Sequence, residues 1–300
     1  MVYLGTMRTV AVALSSFILL LVGPAQGQDI GVAWHAAPPR QGTFAYVVVT
    51  GSPAPIAARG TLDSLPLAFV RAPGDRLAAL AAVPLGAGDS VTVRLVLDYA
   101  KGRTHTVERR LPVTRSRFPT ERLSVDPRFT RAPDSALQAR ITRENARARA
   151  VTATALATPR LWSADFVAPR GSRVTSVFGI GRVFNGRLQS RHLGTDFEGK
   201  VGDPVRVTNR GVVAAIGDFY YAGRIVYVNH GAGLVTAYMH LSEVLVAEGD
   251  TVEAGQLIGR VGSSGRVTGP HLHWAVRVGN SSVDGRSLLE LPPLERLFER

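Results

Sequence analysis

The sequence predicts a mainly all-β protein: a small β-sandwich, a connecting helix, and a C-terminal β domain built as a hybrid barrel or two-sheet structure. Three observations carry this prediction. Short β-rich runs broken by glycine and proline turns occupy both ends of the chain. A single long stretch rich in Ala, Leu and Arg separates them. The chain has 300 residues, enough for two ordinary domains. The expected layout is a leader over 1–27, a sandwich-like domain over 28–118, and a linker over 119–164 with a helix at about 135–156. The second β domain follows over 165–291, then a tail over 292–300.

The leader comes first. Arg8 precedes an apolar run from Val10 to Val22, and Ala25 and Gly27 then supply small residues. That order describes a secretory signal peptide cleaved after Gly27, with Met7 an alternative start. The competing reading is an uncleaved anchor, for which the run is short against the roughly 20 residues of a membrane span. The expected location is the periplasm or the extracellular cell envelope, with membrane contact only if the leader stays attached.

In the first domain, Thr43–Val49 and Ser90–Leu97 read as strands, and turns fall at Gly51–Pro55, Pro73-Gly74 and Gly86–Asp89. His35 and His105 lie here without a partner string and read as surface histidines. Pro127 and Pro133 then lead into the helix, which Asp134 or Ser135 can cap and which ends before Pro159. Its arginines read as a solvated face. Beyond Asp165 the strands are short and evenly spaced, among them Val174–Phe178, Gly211–Ile216, Arg224–Val228, Gly233–Met239, Leu257–Val261 and Leu272–Val278.

Composition bounds the function. The formal charge is +12, almost wholly arginine, since Lys101 and Lys200 are the only lysines. Such a surface suits a polyanionic partner, but the basic residues are scattered with few aromatics between them, so nucleic acid is not expected as a partner. The absence of cysteine excludes disulfides, thiolate metal sites, a cysteine nucleophile and a lipidated N-terminal cysteine.

Five of the seven histidines lie beyond position 190, and four of them fall in three strings: His192-Leu-Gly-Thr-Asp196, Tyr238-Met-His240 and His271-Leu-His273. Imidazole and carboxylate are the ligands of a catalytic zinc, usually three from protein with a fourth position for water. His271 and His273 are two apart on a predicted strand, so they share one face while Leu272 and Trp274 take the other. By the same rule Tyr238 and His240 should share a face. Gly194 and Gly199 argue against a helix around His192 and Asp196, and a strand end with a turn is expected. No His-Glu-x-x-His string occurs, which leaves the base role to histidine.

The stretches Arg191–Phe197, Asn229–Leu241 and Gly262–Trp274, in that order, resemble the lysostaphin/LytM-type zinc endopeptidases of peptidoglycan. The resemblance runs from about Phe166 to Leu291. More loosely, the earlier region with Phe118-Pro-Thr-Glu121 looks like the N-terminal domain and linker of envelope members. The resemblance implies Zn²⁺ as cofactor, held by His192, Asp196 and His273, with His240 and His271 as catalytic histidines. It implies a secreted enzyme that cuts cross-links or stem peptides of peptidoglycan. Two alternatives stand beside it: a non-catalytic wall-binding regulator of other hydrolases, and a secreted metalloprotease acting on protein. Other envelope proteins are expected partners only through the N-terminal domain, which could space, dock or cover the cleft.

Several residues attract attention for lesser reasons. His230 reads as structural. Tyr238, Tyr220 and Tyr221 could line a groove or pack. Gly262–Gly269 lacks the lysine of a phosphate loop and reads as a glycine-rich wall beside a cleft. Glu248–Gly259 is similar to the sheet segment of biotinyl and lipoyl carriers, but has no lysine at a hairpin tip.

Overall fold

The computed structural model describes residues 29–35 and 38–298, so the leader expected over 1–27 lies outside the described residues. Seven strands build the N-terminal domain: β1 (Asp29–Trp34), β2 (Phe44–Ser52), β3 (Ala57–Leu62), β4 (Leu65–Ala72), β5 (Arg76–Ala82), β6 (Ser90–Asp98) and β7 (Thr104–Pro112). They join in the order β1-β2-β5-β4-β3-β6-β7. The two halves of the sandwich are one sheet folded over at β4, whose first half pairs with β3 and whose second half pairs with β5. Val47, Val49, Leu62, Val93, Leu95 and Leu97 fill the space between the halves. The free edges meet where Trp34 Nε1 donates to Pro112 O at 2.8 Å.

β2 and β5 are buried on both faces, which is why their sequences are continuously apolar and do not alternate. Val47, Val49, Leu77 and Ala79 face the sandwich interior. Phe44, Tyr46, Ala78 and Leu80 face the other way, into the core of the C-terminal domain. Hydrogen bonds tie the junction: Phe44 N donates to Ser287 Oγ at 2.9 Å and Asp284 N to Gly42 O at 2.7 Å. Tyr46 OH reaches Pro292 O at 3.0 Å, and Leu294 and Leu297 of the expected tail are buried in the same core.

The linker is structured. β8 (Thr120–Leu123) precedes α1 (Ser135–Ala157), which starts where the Asp134 carboxylate accepts from Leu137 N at 2.8 Å. Its polar side carries the arginines, with Arg140 and Glu144 paired at 2.7 Å. Its small-residue side is buried: Ala148, Val151 and Ala155 pack on Ile225, Tyr227, Val235 and Ala237. The helix is therefore docked on the back of the next domain's sheet.

The C-terminal strands are β9 (Val174–Ser176), β10 (Gly181–Phe184), β11 (Leu188–Arg191), β12 (Thr195–Glu198), β13 (Pro204–Arg206), β14 (Gly211–Phe219), β15 (Gly223–Gly231) and β16 (Leu234–Val244). β17 (Thr251–Val252), β18 (Leu257–Val261), β19 (His271–Val278), β20 (Ser281–Val283) and the short helix α2 (Gly285–Leu289) complete the domain. The main sheet runs β17-β14-β15-β16-β19-β12-β9, with β13 and β18 attached beside β16 and β20 on β19, in a nearly closed barrel. β10 and β11 form a small separate sheet, to which linker strand β8 adds in parallel.

β16 sets up the site because it forks. Leu234–Met239 pair with β19, and Leu241–Val244 pair with β18. His240 stands at the fork with φ +63°, the left-handed region that a non-glycine residue enters at a cost. This corrects the two-residue expectation for Tyr238 and His240. Tyr238 is fully buried in the core with Trp274, whereas His240 is turned toward His271 and His273, which lie on the opposite face of β19 from Trp274.

Candidate metal centre

Three of the five residues singled out from the sequence converge on one point. Asp196 on β12 is the cross-strand partner of His273 on β19, and their side chains meet with Oδ1 to Nδ1 at 2.7 Å. His192 enters from the β11–β12 turn, placing Nε2 3.0 Å from Asp196 Oδ1 and 3.1 Å from His273 Nδ1. The turn needs Gly194, because a Cβ there would stand 2.5 Å from His273 Nε2 and 2.6 Å from Trp274 O. A tetrahedral zinc with bonds of about 2.0–2.1 Å spaces its ligands roughly 3.3 Å apart. The observed triangle, with sides of 2.7, 3.0 and 3.1 Å, is tighter by about half an ångström or less on each side, and its His-Asp-His chemistry suits a single zinc.

Neighbouring groups orient each ligand. His192 Nδ1 lies 2.8 Å from Val177 O, which makes Nδ1 the protonated nitrogen and leaves the Nε2 lone pair for a metal. Arg182 on β10 donates to Asp196 Oδ2 at 2.7 Å, leaving Oδ1 for the ion. The same guanidinium donates to Glu121 of β8 at 2.6 Å and to Ser176 Oγ at 2.9 Å. Burial alone would raise the Asp196 carboxyl, but the close polar contacts with the His192 and His273 rings outweigh it and hold the group well below the usual carboxylate range.

The other two histidines stand beside this triangle without joining it. His240 Nδ1 lies 2.8 Å from Ser264 O, and His271 Nδ1 lies 2.8 Å from Gly269 O. In both rings the backbone carbonyl selects the Nδ1–H tautomer and leaves Nε2 as an acceptor. Their ring centroids are 5.0 Å apart, and His271 Nε2 is 3.7 Å from Asp196 Oδ1. Burial, with neighbouring His273 and His271, pushes His240 down to about 3, so it is neutral at pH 7.

His230 takes no part. It is fully buried, with Nδ1 2.8 Å from Arg210 O and Nε2 2.8 Å from Thr236 Oγ1, and burial pushes it down to about 4. Tyr238 OH lies 2.9 Å from Thr208 N inside the core. His35 packs on Phe298 and His105 is on an exposed strand, both remote from the cluster in the fold.

Above the cluster opens a cleft of about 350 Å³. The glycine-rich segment after β18 forms one wall through Arg266, Val267, Thr268 and Gly269. Glu121, Leu123 and Val125 of the linker form another. Sequence reasoning missed Arg182, Ser176 and Glu121. Arg182 is one arginine among many, and only the pairing of β8 with β10 brings Glu121 to it.

Residues 190–285 match Peptidase family M23. The peptidoglycan DD-endopeptidase ShyA of Vibrio cholerae is 45% identical over 93 residues, 31% of this chain and 22% of that protein. ShyC of the same organism, also a peptidoglycan DD-endopeptidase, is 38% identical over 127 residues, 42% of this chain and 29% of that protein. The DD-carboxypeptidase/endopeptidase Mpg of Neisseria meningitidis is 42% identical over 93 residues, 31% of this chain and 21% of that protein. The chain thus spans less than a third of the length of these relatives. A crystal structure of a peptidase M23 candidate from Pseudomonas aeruginosa superposes with TM-score 0.65 at 27% identity, covering 85% of this chain and 96% of that one. That likeness extends well beyond the matched segment into the N-terminal half.

Proposed function

From the premise that this chain carries a peptidase family M23 domain of the lysostaphin/LytM type, we propose that it is a zinc-dependent endopeptidase hydrolysing the peptide part of peptidoglycan. One observation supports this above others: three donor atoms within 3.1 Å of one another lie beside two imidazoles whose Nε2 atoms are unused.

In this reading His192 Nε2, Asp196 Oδ1 and His273 Nδ1 hold the ion. When bound, zinc supplies Lewis acidity toward the scissile carbonyl and the attacking water. His271 takes the water's proton and returns it to the leaving amine. Its Nε2 is beside Asp196 Oδ1, and its side chain retains 17% exposure, so the proton can exchange with solvent. His240 is too depressed in basicity to store a proton, and its Nε2 instead accepts a hydrogen bond that orients the water. Arg182 holds Asp196 Oδ2 and so keeps Oδ1 aimed at the ion's position. An extended peptide would lie between the cleft walls formed by Arg266–Gly269 and by Glu121, Leu123 and Val125.

The substrate lies outside the cytoplasm, so the working protein belongs in the cell envelope, delivered by the leader read at 1–27. Fractionation of cells that express the tagged full chain checks the location. For the activity, purified protein is incubated with isolated peptidoglycan and new amines are counted. Release of amines that stops with a chelator and returns with zinc is the expected result. Cleavage of casein with intact wall peptides would replace this reading by the protein-protease one.

A further inference from the structure

Arg266 occupies an unusual position in the cleft. The neighbouring Gly265, at φ +76°, lets the loop press against the β14–β15 turn, since a Cβ there would fall 2.4 Å from Gly223 N. Arg266 N donates to Tyr221 O at 2.9 Å, which fixes where the side chain starts. Its guanidinium carbon then lies 4.4 Å from the Phe184 ring centroid and 4.7 Å from that of Tyr221. Two aromatic rings clamp the charge without neutralising it.

Arg191, Arg206, Arg224 and Arg277 of this domain donate to backbone carbonyls, and five other arginines are matched to carboxylates. Arg170, Arg173, Arg210 and Arg260 each meet one, and Arg182 meets two. Among the described residues, the Arg266 side chain has no carboxylate and no hydrogen-bond acceptor. It is half-buried and lines the same cleft as His240, His271 and Asp196. A guanidinium that is partly desolvated, immobilised and unpaired presents a ready fork for a planar anion, and a carboxylate matches that fork bidentately.

We propose that Arg266 binds a free carboxylate of the substrate, carried on the carbon that bears the scissile amide nitrogen. This rests on the endopeptidase reading and narrows its substrate class. A D-alanyl cross-link to a diamino acid whose amine-bearing side-chain carbon also carries a second carboxyl has such a carboxylate next to the released amine. A terminal D-alanyl-D-alanine carries it too. An internal bond of a glycine bridge does not. The site therefore selects the first two over the third.

The test uses the zinc-loaded full chain and defined cross-linked wall peptides, with that one carboxylate either free or amidated. The free form should be cut with kcat/KM at least about tenfold higher, the discrimination expected from a charge-assisted contact. In Arg266→Gln the two substrates should converge, mainly through KM, and Arg266→Lys should recover part of the gap. Melting temperature and zinc content identify any variant that fails through folding. Calorimetric binding of the free and amidated amine-side products gives a second readout independent of turnover. A wild-type preference that survives in Arg266→Gln, or equal binding of the two products by the wild type, overturns the proposal. Failure to cut any wall peptide overturns the endopeptidase reading instead, and the binding arm still decides Arg266.

Discussion

The metal triangle and the histidine pair beside it are built from almost the same residue type, yet they differ in where the ring nitrogen facing the site points. In the triangle, His192 Nε2 and His273 Nδ1 point at Asp196 Oδ1 and at each other. In the pair, both Nδ1 atoms are pinned to backbone carbonyls of the glycine-rich loop and both Nε2 atoms are left over. Five polar residues thus divide into a set that shares one point and a set that faces it. A backbone carbonyl fixes the Nδ1–H tautomer in His192, His240 and His271 alike, and the role follows from whether the remaining Nε2 reaches the shared point.

The strongest way to break this comparison is to remove one member from each set. His273→Ala should lose bound zinc and lower kcat/KM by at least about a thousandfold, since both the ion and its Lewis acidity go. Metal analysis together with amine release checks it, and a fully loaded variant would dissolve the distinction. His271→Ala should keep its zinc while the rate falls about 10²- to 10⁴-fold, the range for a lost general base.

Arg182→Gln sharpens the comparison from outside. It frees Asp196 Oδ2 and leaves Glu121 without its cation. Zinc affinity, measured by competition with a chelator, should weaken about 10- to 100-fold. An unchanged affinity would mean that the arginine merely ties the linker down.

The smallest effect belongs to the buried histidine outside both sets. His230 is pushed from 6.5 to about 4 by burial, so the folded state keeps it neutral while the unfolded chain protonates it below pH 6.5. Its contribution is fully present above pH 6.5 and is lost as pH falls from there to about 4, amounting to at most about 3 kcal/mol. Denaturant titrations at pH 7 and pH 4.5 should show a smaller pH dependence in His230→Gln than in the wild type. Equal pH dependence in the two would assign the acid sensitivity elsewhere.

The linker bears on the inhibitory cover considered for the N-terminal half. A chain beginning at Ala157 loses more than a cover, because α1 shields Ile225, Tyr227 and Ala237 and β8 supplies Glu121. Point changes in the β8 wall separate inhibition from support better than truncation does.

Much of the architecture was legible. The helix with its Asp134 cap, the strand carrying His271 and His273, and the turn between His192 and Asp196 all follow from local patterns. The side-by-side placement of Tyr238 and His240 was misread, because alternation holds only while the backbone stays extended and His240 does not. Arg182 carried no local mark, and Glu121 and Arg266 lay in segments read as linker and cleft wall without anything singling out their side chains. The continuous apolar runs of β2 and β5 signalled burial, but not that one face would meet a second domain.

The sequence by itself determined the donor chemistry, because residue type limits what can bind zinc or move a proton, and strand period decides which neighbours share a face. Only the tertiary structure decided which nitrogens meet, which arginine is held between two aromatic rings in the cleft, and where the linker lies. Those outcomes depend on contacts between segments 14 to 81 residues apart, such as Arg182 with Asp196 and His192 with His273. No local pattern encodes a distance across a fold.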